Sequence, residues 1–230
     1  MARAVSKRTV KTKKVGAPKR RRVIKRLEND ERRAQLLAMG RAAFAANPYD
    51  EVSIDDLAKK AKLSKGLFYY YFPTKRDLYI AGLEETSQEL VDKLVTNVKK
   101  ETAPRERAMA GVSAYLDHVE SQGSAFVALM RGGIGSDPEV TAVLEKVRVG
   151  IQEEFLEGNP ISAFLKARPI SRIAIRSWIG MVEAASIEWL ANKDTSKEEV
   201  RDLLVDQLFD MMTRVLGASD ANRWRNQSQS

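Results

Sequence analysis

Residues 53–75 constrain the fold more than any other stretch, because they predict two short helices joined by a tight turn. The first helix begins at Ser53, whose hydroxyl is placed to accept a hydrogen bond from the backbone N–H of Asp56, as in a capping box. Apolar residues then recur on one face at helical spacing, namely Ile54, Leu57, Ala58 and Ala61. Because the alanines are small, a second helix can cross this face closely.

The second helix begins at Ser64 and ends at Pro73, which lacks a backbone N–H. Phe68 and Phe72 lie one helical turn apart and are expected to point inward. The residues left mostly on the outer side are Lys65, Leu67, Tyr69, Tyr70 and Tyr71. This face suits a helix in the DNA major groove, with Tyr and Lys on phosphates. Equally, the tyrosines can pack on the next helix while the lysines are solvated, and these residues alone leave both interpretations open.

A wider pattern resembles the DNA-binding motif of TetR-family transcriptional repressors. That motif has Ser-x-Gly, a variable residue, Leu-Tyr-x-Tyr/His-Phe, two variable residues and Lys. The matching segment here is Ser64-Lys65-Gly66-Leu67-Phe68-Tyr69-Tyr70-Tyr71-Phe72-Pro73-Thr74-Lys75. The resemblance continues through Arg33, Leu36, Leu37, Phe44, Tyr49 and Leu78. It implies DNA contact by Ser53, Ser64, Lys65, Gly66, Leu67, Tyr69, Tyr70, Tyr71 and Lys75.

Three positions depart from the family pattern. Pro48 and Lys62 stand where the family usually has Gly, and Phe68 replaces the usual Leu. Lys62 matters most, because its place in the turn often needs a backbone angle that Gly tolerates best. We therefore expect Lys62 to adopt that angle at a cost, or the turn to differ slightly.

The charge is concentrated at the beginning of the sequence. The net charge is +8, and residues 1–27 carry 12 Lys or Arg residues and no acid, whereas residues beyond 82 are net acidic. We expect residues 1–27 to be a disordered arm that follows the DNA backbone or enters a minor groove. The arm residues assigned to DNA are Arg20, Arg21, Arg22, Lys25 and Arg26. A merely solubilising tail remains the alternative.

Several other classes of protein find little support in the residues. The sequence has no cysteine and one histidine, His118, which is a poor candidate for metal binding or catalysis on its own. It also lacks a Gly-rich phosphate loop and a nucleophile-elbow motif. No apolar run is long enough to span a bilayer. We therefore predict no enzyme activity, no catalytic residue, no metal, no cofactor and no membrane partner, and a cytoplasmic, nucleoid-associated protein.

Helical periodicity predicts an all-α fold. The longer helices are expected at about 28–46, 74–100, 170–192 and from Thr195 or Ser196 to Gly217, with a helix start at Asp137 and Pro138. The predicted organisation is a basic arm (1–27), a three-helix DNA-binding domain with a helix-turn-helix (28–82), a larger helical effector-binding and dimerisation domain (83–217) and a polar tail (218–230).

The larger domain raises two further hypotheses. The family resemblance implies an effector pocket, for which the candidates are Met109, Tyr115, Phe126, Met130, Phe155, Trp178 and Met181. Such residues are more often ordinary core. The last two helices are apolar over more than one stripe, which favours a homodimer interface formed by Trp189, Leu204, Leu208, Met211, Met212 and Val215. A large monomeric core is the alternative.

Together these features predict a dimeric, sequence-specific DNA-binding repressor that a small apolar effector releases from a palindromic operator. Two alternatives keep the DNA-binding part. In one, the second domain holds a protein partner instead of a small molecule. In the other, the basic arm alone binds the nucleoid without sequence specificity.

Overall fold

The computed structural model describes residues 19–101, 103–131, 133–157, 162–192 and 194–217, and these ranges contain α-helices and 3-10 turns but no strand. The helices are α1 (Lys19–Ala46), α2 (Ile54–Lys60), α3 (Lys65–Tyr71), α4 (Lys75–Lys100), α5 (Pro104–Arg131), α6 (Pro138–Glu157), α7 (Ser162–Lys166), α8 (Pro169–Ala191) and α9 (Lys197–Leu216). The 3-10 turns are Tyr49–Glu51 and Gly133–Ser136. None of the helices in these ranges is both long and apolar enough to cross a membrane.

Helix α1 begins at Lys19, and not near Glu28 as the sequence predicts. Residues 19–27 are mostly Lys, Arg and Leu, which favour a helix. The basic charge that suggested a disordered arm does not prevent helix formation. Residues 1–18 of the predicted arm and 218–230 of the predicted tail lie outside the described ranges. The four-part organisation itself stays a prediction.

The chain up to Gln35 forms one unit and the chain from Leu36 onward forms another. In the second unit, α1 from Leu36, α2, α3 and the beginning of α4 share a core in which Phe68 and Leu78 have no exposed surface. Phe44, Tyr49 and Tyr79 pack there with ring centroids 4.9 to 5.9 Å apart. This core packs the helices of the predicted helix-turn-helix against one another.

A second core joins α5, α8 and α9. Leu116, Ile175 and Leu208 have no exposed surface, and the indole N–H of Trp178 donates to the Leu204 carbonyl at 2.9 Å. The burial of the predicted interface residues in this core contradicts their assignment to a dimer surface. Five of its six residues, Trp189, Leu204, Leu208, Met212 and Val215, are buried within one subunit, and Met211 packs against the same core. Periodicity identified the apolar stripe but could not tell which partner covers it.

The residues at the helix ends explain where several helices begin and end. Thr74 and Asp77 form a capping box at α4, and Ser196 and Glu199 form another at α9. Gly217, with φ +81°, ends α9. Helix α5 kinks at Gly123, where φ is +50° and ψ is −126°. The predicted starts near Thr74 and Ser196 and the predicted stop at Gly217 are therefore confirmed.

Candidate nucleic-acid interface and ligand cleft

The turn between α2 and α3 is built on a lysine in the left-handed region. Lys62 has φ +55°. Its N–H donates to the Lys59 carbonyl, and the Leu63 N–H donates to the Ala58 carbonyl, each at 3.0 Å. These two bonds form a Schellman motif, which usually has Gly at the Lys62 position. The unusual backbone angle expected at Lys62 is confirmed.

Both short helices begin at the predicted caps. The Ser53 hydroxyl accepts from the Asp56 N–H at 3.3 Å, and the Ser64 hydroxyl accepts from the Leu67 N–H at 3.2 Å. The turn and these caps hold α3 against the core through Phe68. The orientation of α3 is thus set by the sequence on both sides of it.

The outer face of α3 is narrower than the sequence predicts. Tyr70 is 69% exposed and Leu67 is 42% exposed. Tyr69 and Tyr71 are half-buried and pack against the core of the helix-turn-helix, which corrects the expectation that all three tyrosines lie mostly outside. Consecutive residues point about 100° apart on a helix, so three neighbours cannot share one face.

The two lysines beside this face already have partners. Lys65 forms an ion pair with Asp55 at 2.8 Å, and this hydrogen-bonded pair raises the pKa of Lys65. Lys75 donates to the Asp50 carbonyl at 3.3 Å and lies 4.4 Å from the centroid of the Tyr49 ring. Both contacts are exposed, so a phosphate can exchange with them at little cost.

An ion-pair cluster joins the first turn of α4 to the beginning of α6. Arg76 donates to both carboxylate oxygens of Asp137, at 2.7 and 2.6 Å, and to Glu139 at 2.7 Å. Asp137 also accepts from the Glu139 N–H and thereby caps α6. The hydrogen bonds from Arg76 lower the pKa of Asp137 to about 2. The start of α6 is therefore tied to the residue that follows Lys75.

A mostly apolar cleft, named here the large cleft, opens between α4, α5, α6 and α8. It contains about 1350 Å³ of space, counting its open mouth. Its apolar lining includes Val91, Leu94, Val98, Ala108, Val112, Tyr115, Ile151, Phe155, Trp178 and Val182. Gly150 also lines it, and a Cβ added there would meet nothing within 4 Å.

A second space, named the small cleft, contains about 820 Å³ and is also open. It lies between α1, α4, α5 and α6, and its lining includes Phe44, Tyr79, Leu90, Tyr115, His118, Phe126, Met130 and Val147. Burial, and then the charge of Lys93, lowers the pKa of His118 to about 4. His118 is therefore neutral near pH 7 and lines this cleft without a charge.

The candidate pocket residues divide between these spaces. Phe155 and Trp178 line the large cleft, Phe126 and Met130 line the small cleft, and Tyr115 lines both. The other two candidates, Met109 and Met181, were wrongly assigned to a pocket. Met109 packs against the core of α5, α8 and α9, and Met181 is 37% exposed and lines neither cleft. Apolar character alone could not separate these environments.

The sequence analysis missed the polar groups of the large cleft. Arg148 donates to Glu183 through two bonds of 2.7 and 3.0 Å, and both side chains are about four-fifths buried. Arg148 on α6 and Glu183 on α8 lie on helices that carry several other charged residues, so the sequence did not single them out. Among the described residues, no group of three or more His, Asp or Glu side chains is arranged to hold a metal ion.

A helix-turn-helix on its own core, followed by a helical bundle with an apolar cleft, defines a DNA-binding transcription regulator. Residues 36–81 match the model of the bacterial regulatory proteins of the tetR family, and residues 104–211 match the tetracyclin repressor-like C-terminal domain. The chain belongs to the TetR family of transcriptional regulators.

The similarity to known members is broad. The chain is 31% identical to the HTH-type transcriptional activator FasR of Mycolicibacterium smegmatis over 167 residues. This match covers 73% of this chain and 76% of FasR. A solved TetR-family regulator from Streptomyces coelicolor has a TM-score of 0.71 at 28% identity, over 87% of this chain and 89% of that one. FadR from Bacillus subtilis, solved in complex with stearoyl-CoA, shares the fold, with a TM-score of 0.60 at 17% identity. The match covers 76% of this chain and 98% of FadR.

Proposed function

We propose that this regulator binds an inverted-repeat operator as a homodimer and acts as a repressor that a long apolar ligand releases from DNA. The observation that carries the proposal is the large cleft, which lies against α4 and α6, and these two helices are joined next to the helix-turn-helix by the Arg76–Asp137 ion pair. Because operator DNA lies in the nucleoid, the regulator acts there, in the cytoplasm.

The proposed DNA contacts lie on α3 and beside it. Tyr70 and Leu67 present ring and methyl surface to bases, and Lys65 and Lys75 reach phosphates. A Cβ at Gly66 would meet nothing within 4 Å, so the chain itself does not require glycine there. We attribute this glycine to close approach of the DNA backbone. Ser53 and Ser64 place helix N-termini where N–H groups can meet phosphate, while Tyr69 and Tyr71 support Tyr70 from the core.

The basic residues at the beginning of α1 are a second group that we assign to DNA. Arg20, Arg21, Arg22, Lys25 and Arg26 belong to the first part of α1, which begins at Lys19. Each phosphate that such a residue neutralises steepens the dependence of binding on salt. We assign these residues to affinity and α3 to sequence specificity.

The proposed homodimer uses a different surface from the one the sequence suggests. On α8 the exposed residues include Ile173, Gly180 and Met181, with Ile173 62% exposed, and Leu203 on α9 is 57% exposed. Large exposed apolar side chains beside small residues are typical of helix packing between subunits. Two subunits would place their α3 helices on half-sites about 34–36 Å apart, one turn of DNA.

Gly180 offers a direct test of the dimer. A Cβ there would meet nothing within 4 Å inside the subunit, so Gly180→Arg should fold. It should nevertheless introduce a buried charge into the proposed interface and weaken dimerisation at least tenfold, as measured by analytical ultracentrifugation. Gly180→Ala is the matched control and should remain dimeric. An arginine variant as dimeric as the control would contradict this surface.

The proposed ligand is a fatty acyl thioester. The large cleft is lined mainly by aliphatic and aromatic side chains, with Arg107 and Glu154 among its polar groups. Apolar walls with few polar groups suit a ligand that has a long alkyl chain and a polar head. Related proteins support this class, since FadR of Bacillus subtilis was solved with stearoyl-CoA.

The proposed coupling runs along α4 and α6. A ligand that widens the large cleft moves these helices, and Arg76 transfers the movement of α6 to the first turn of α4 through Asp137. The spacing of the two α3 helices then changes. Release requires only that the ligand bind the DNA-free arrangement more tightly than the DNA-bound one.

The ligand proposal is tested by filling the cleft. We expect palmitoyl-CoA to release wild-type protein from its selected DNA, and Gly150→Phe to require at least tenfold more ligand because the ring occupies the cleft. The matched control Gly150→Ala should respond like wild type, and all three proteins should bind DNA equally in the absence of ligand. Fluorescence anisotropy of the labelled DNA gives the readout. An unchanged response in Gly150→Phe would place the ligand elsewhere.

A further inference from the structure

The two clefts follow one another along the same helices. On α4 the small cleft is lined between Tyr79 and Leu90, and the large cleft between Val91 and Val98. On α5 the order is reversed, because α5 runs the other way, and the two linings meet at Tyr115. The clefts are thus neighbouring chambers between the same helices.

Among the described residues, three line both chambers and form the divider, namely Tyr115, Val147 and Glu183. The Tyr115 ring is held from the side of the small cleft by Phe126, edge to face, with centroids 6.4 Å apart. Glu183 is held from the side of the large cleft by its two hydrogen bonds to Arg148. Tyr115 and Glu183 are therefore each supported by a neighbouring side chain.

The divider presents two obstacles to an alkyl chain that enters the large cleft. The chain first meets the Tyr115 ring, whose displacement breaks its packing on Phe126. Beside the ring, methylene groups would have to pack against the Arg148–Glu183 pair, and enclosing a charged pair among apolar groups is unfavourable. Burial, together with the nearby Glu183, raises the pKa of Tyr115, so its hydroxyl stays neutral.

We propose that the divider sets the longest acyl chain that the regulator accepts, with Tyr115 as the specificity-determining residue. This inference rests on the proposed function, because it assumes an alkyl chain in the large cleft. The polar head lies toward the open mouth of the large cleft. The tail ends at Tyr115, and the small cleft stays free of ligand.

The test is a series of saturated acyl-CoA thioesters of increasing length, titrated into the full-length protein by calorimetry. Wild-type affinity should rise with chain length and then fall sharply at one length. Tyr115→Leu should move this cutoff to longer chains and bind the first chain that wild type rejects at least tenfold more tightly, with shorter chains unchanged within about threefold. Tyr115→Phe should keep the wild-type cutoff, because the ring remains.

Val147→Ala removes side-chain volume from the part of the divider that lies on α6. It gives an independent test if Tyr115→Leu does not fold. It should also move the cutoff to longer chains. A cutoff that stays at the same length in each folded variant would overturn the divider. Binding of no thioester at any length would overturn both the ligand class and the divider, and selected-DNA binding would then show whether the DNA-binding role stands on its own.

Discussion

Tyr70→Ala should reduce the affinity for operator DNA by roughly 10- to 100-fold per half-site, corresponding to about 1–3 kcal/mol for one good base or phosphate contact. Tyr70 is the most exposed side chain of the proposed reading face, at 69%. Because its ring contributes little to the core, the substitution should leave the melting temperature nearly unchanged. The same change at Tyr69 or Tyr71 would disturb packing and would be harder to interpret.

Two controls make the Tyr70 result specific. Tyr70→Phe keeps the ring and removes the hydroxyl, so its affinity shows whether the base-contacting ring or a phosphate-contacting hydroxyl matters. Binding to a scrambled duplex of the same length should be nearly equal in all three proteins, since non-specific affinity depends on the basic residues. Operator affinity of Tyr70→Ala within a factor of two of wild type would show that α3 does not read the DNA through this residue.

The second large effect concerns His118 and pH. The pKa of His118 is lowered to about 4 in the folded protein, from an ordinary value of 6.5, first by burial and then by Lys93. Below pH 6.5 the unfolded chain binds a proton that the folded protein does not. His118 therefore stabilises the fold fully above pH 6.5, and this stability is lost as the pH falls toward 4. The shift corresponds to about 3 kcal/mol.

We expect His118→Gln to abolish this component of the pH dependence, because glutamine does not titrate. Urea unfolding at a fixed protein concentration, repeated between pH 7 and pH 4, should show wild type losing about 3 kcal/mol more than the variant. Carboxylate titration affects both proteins equally and cancels in the difference. Parallel curves would mean that the buried imidazole accepts a proton in the folded state without penalty.

Much of the helix-turn-helix could be predicted from local chemistry. The caps at Ser53 and Ser64, the inward Phe68 and Phe72 and the strained Lys62 all depend on neighbours within a few residues. A turn that needs a positive φ can be recognised because the hydrogen bonds that define it are local.

Features that depend on distant contacts could not be predicted in the same way. Whether the stripe of Leu204 and Leu208 meets its own subunit or another depends on the packing of α5, and both arrangements give the same periodicity. The pairs Arg76–Asp137 and Arg148–Glu183 join residues far apart in sequence, so charge alone did not identify the partners. The arginine-rich beginning of α1 suggested a loose arm because of its charge, although Arg and Lys also favour a helix.

The central claim is sequence-specific binding by a dimer, and it is tested most directly by genome-wide selection of DNA with the purified protein at near-physiological salt. The account predicts an enriched inverted repeat whose half-sites lie about one helical turn apart, 34–36 Å. Tyr70→Ala should lose this enrichment while retaining weak binding to all fragments. Enrichment without any shared motif would contradict the account and would leave the basic residues before α2 as the main DNA-binding element.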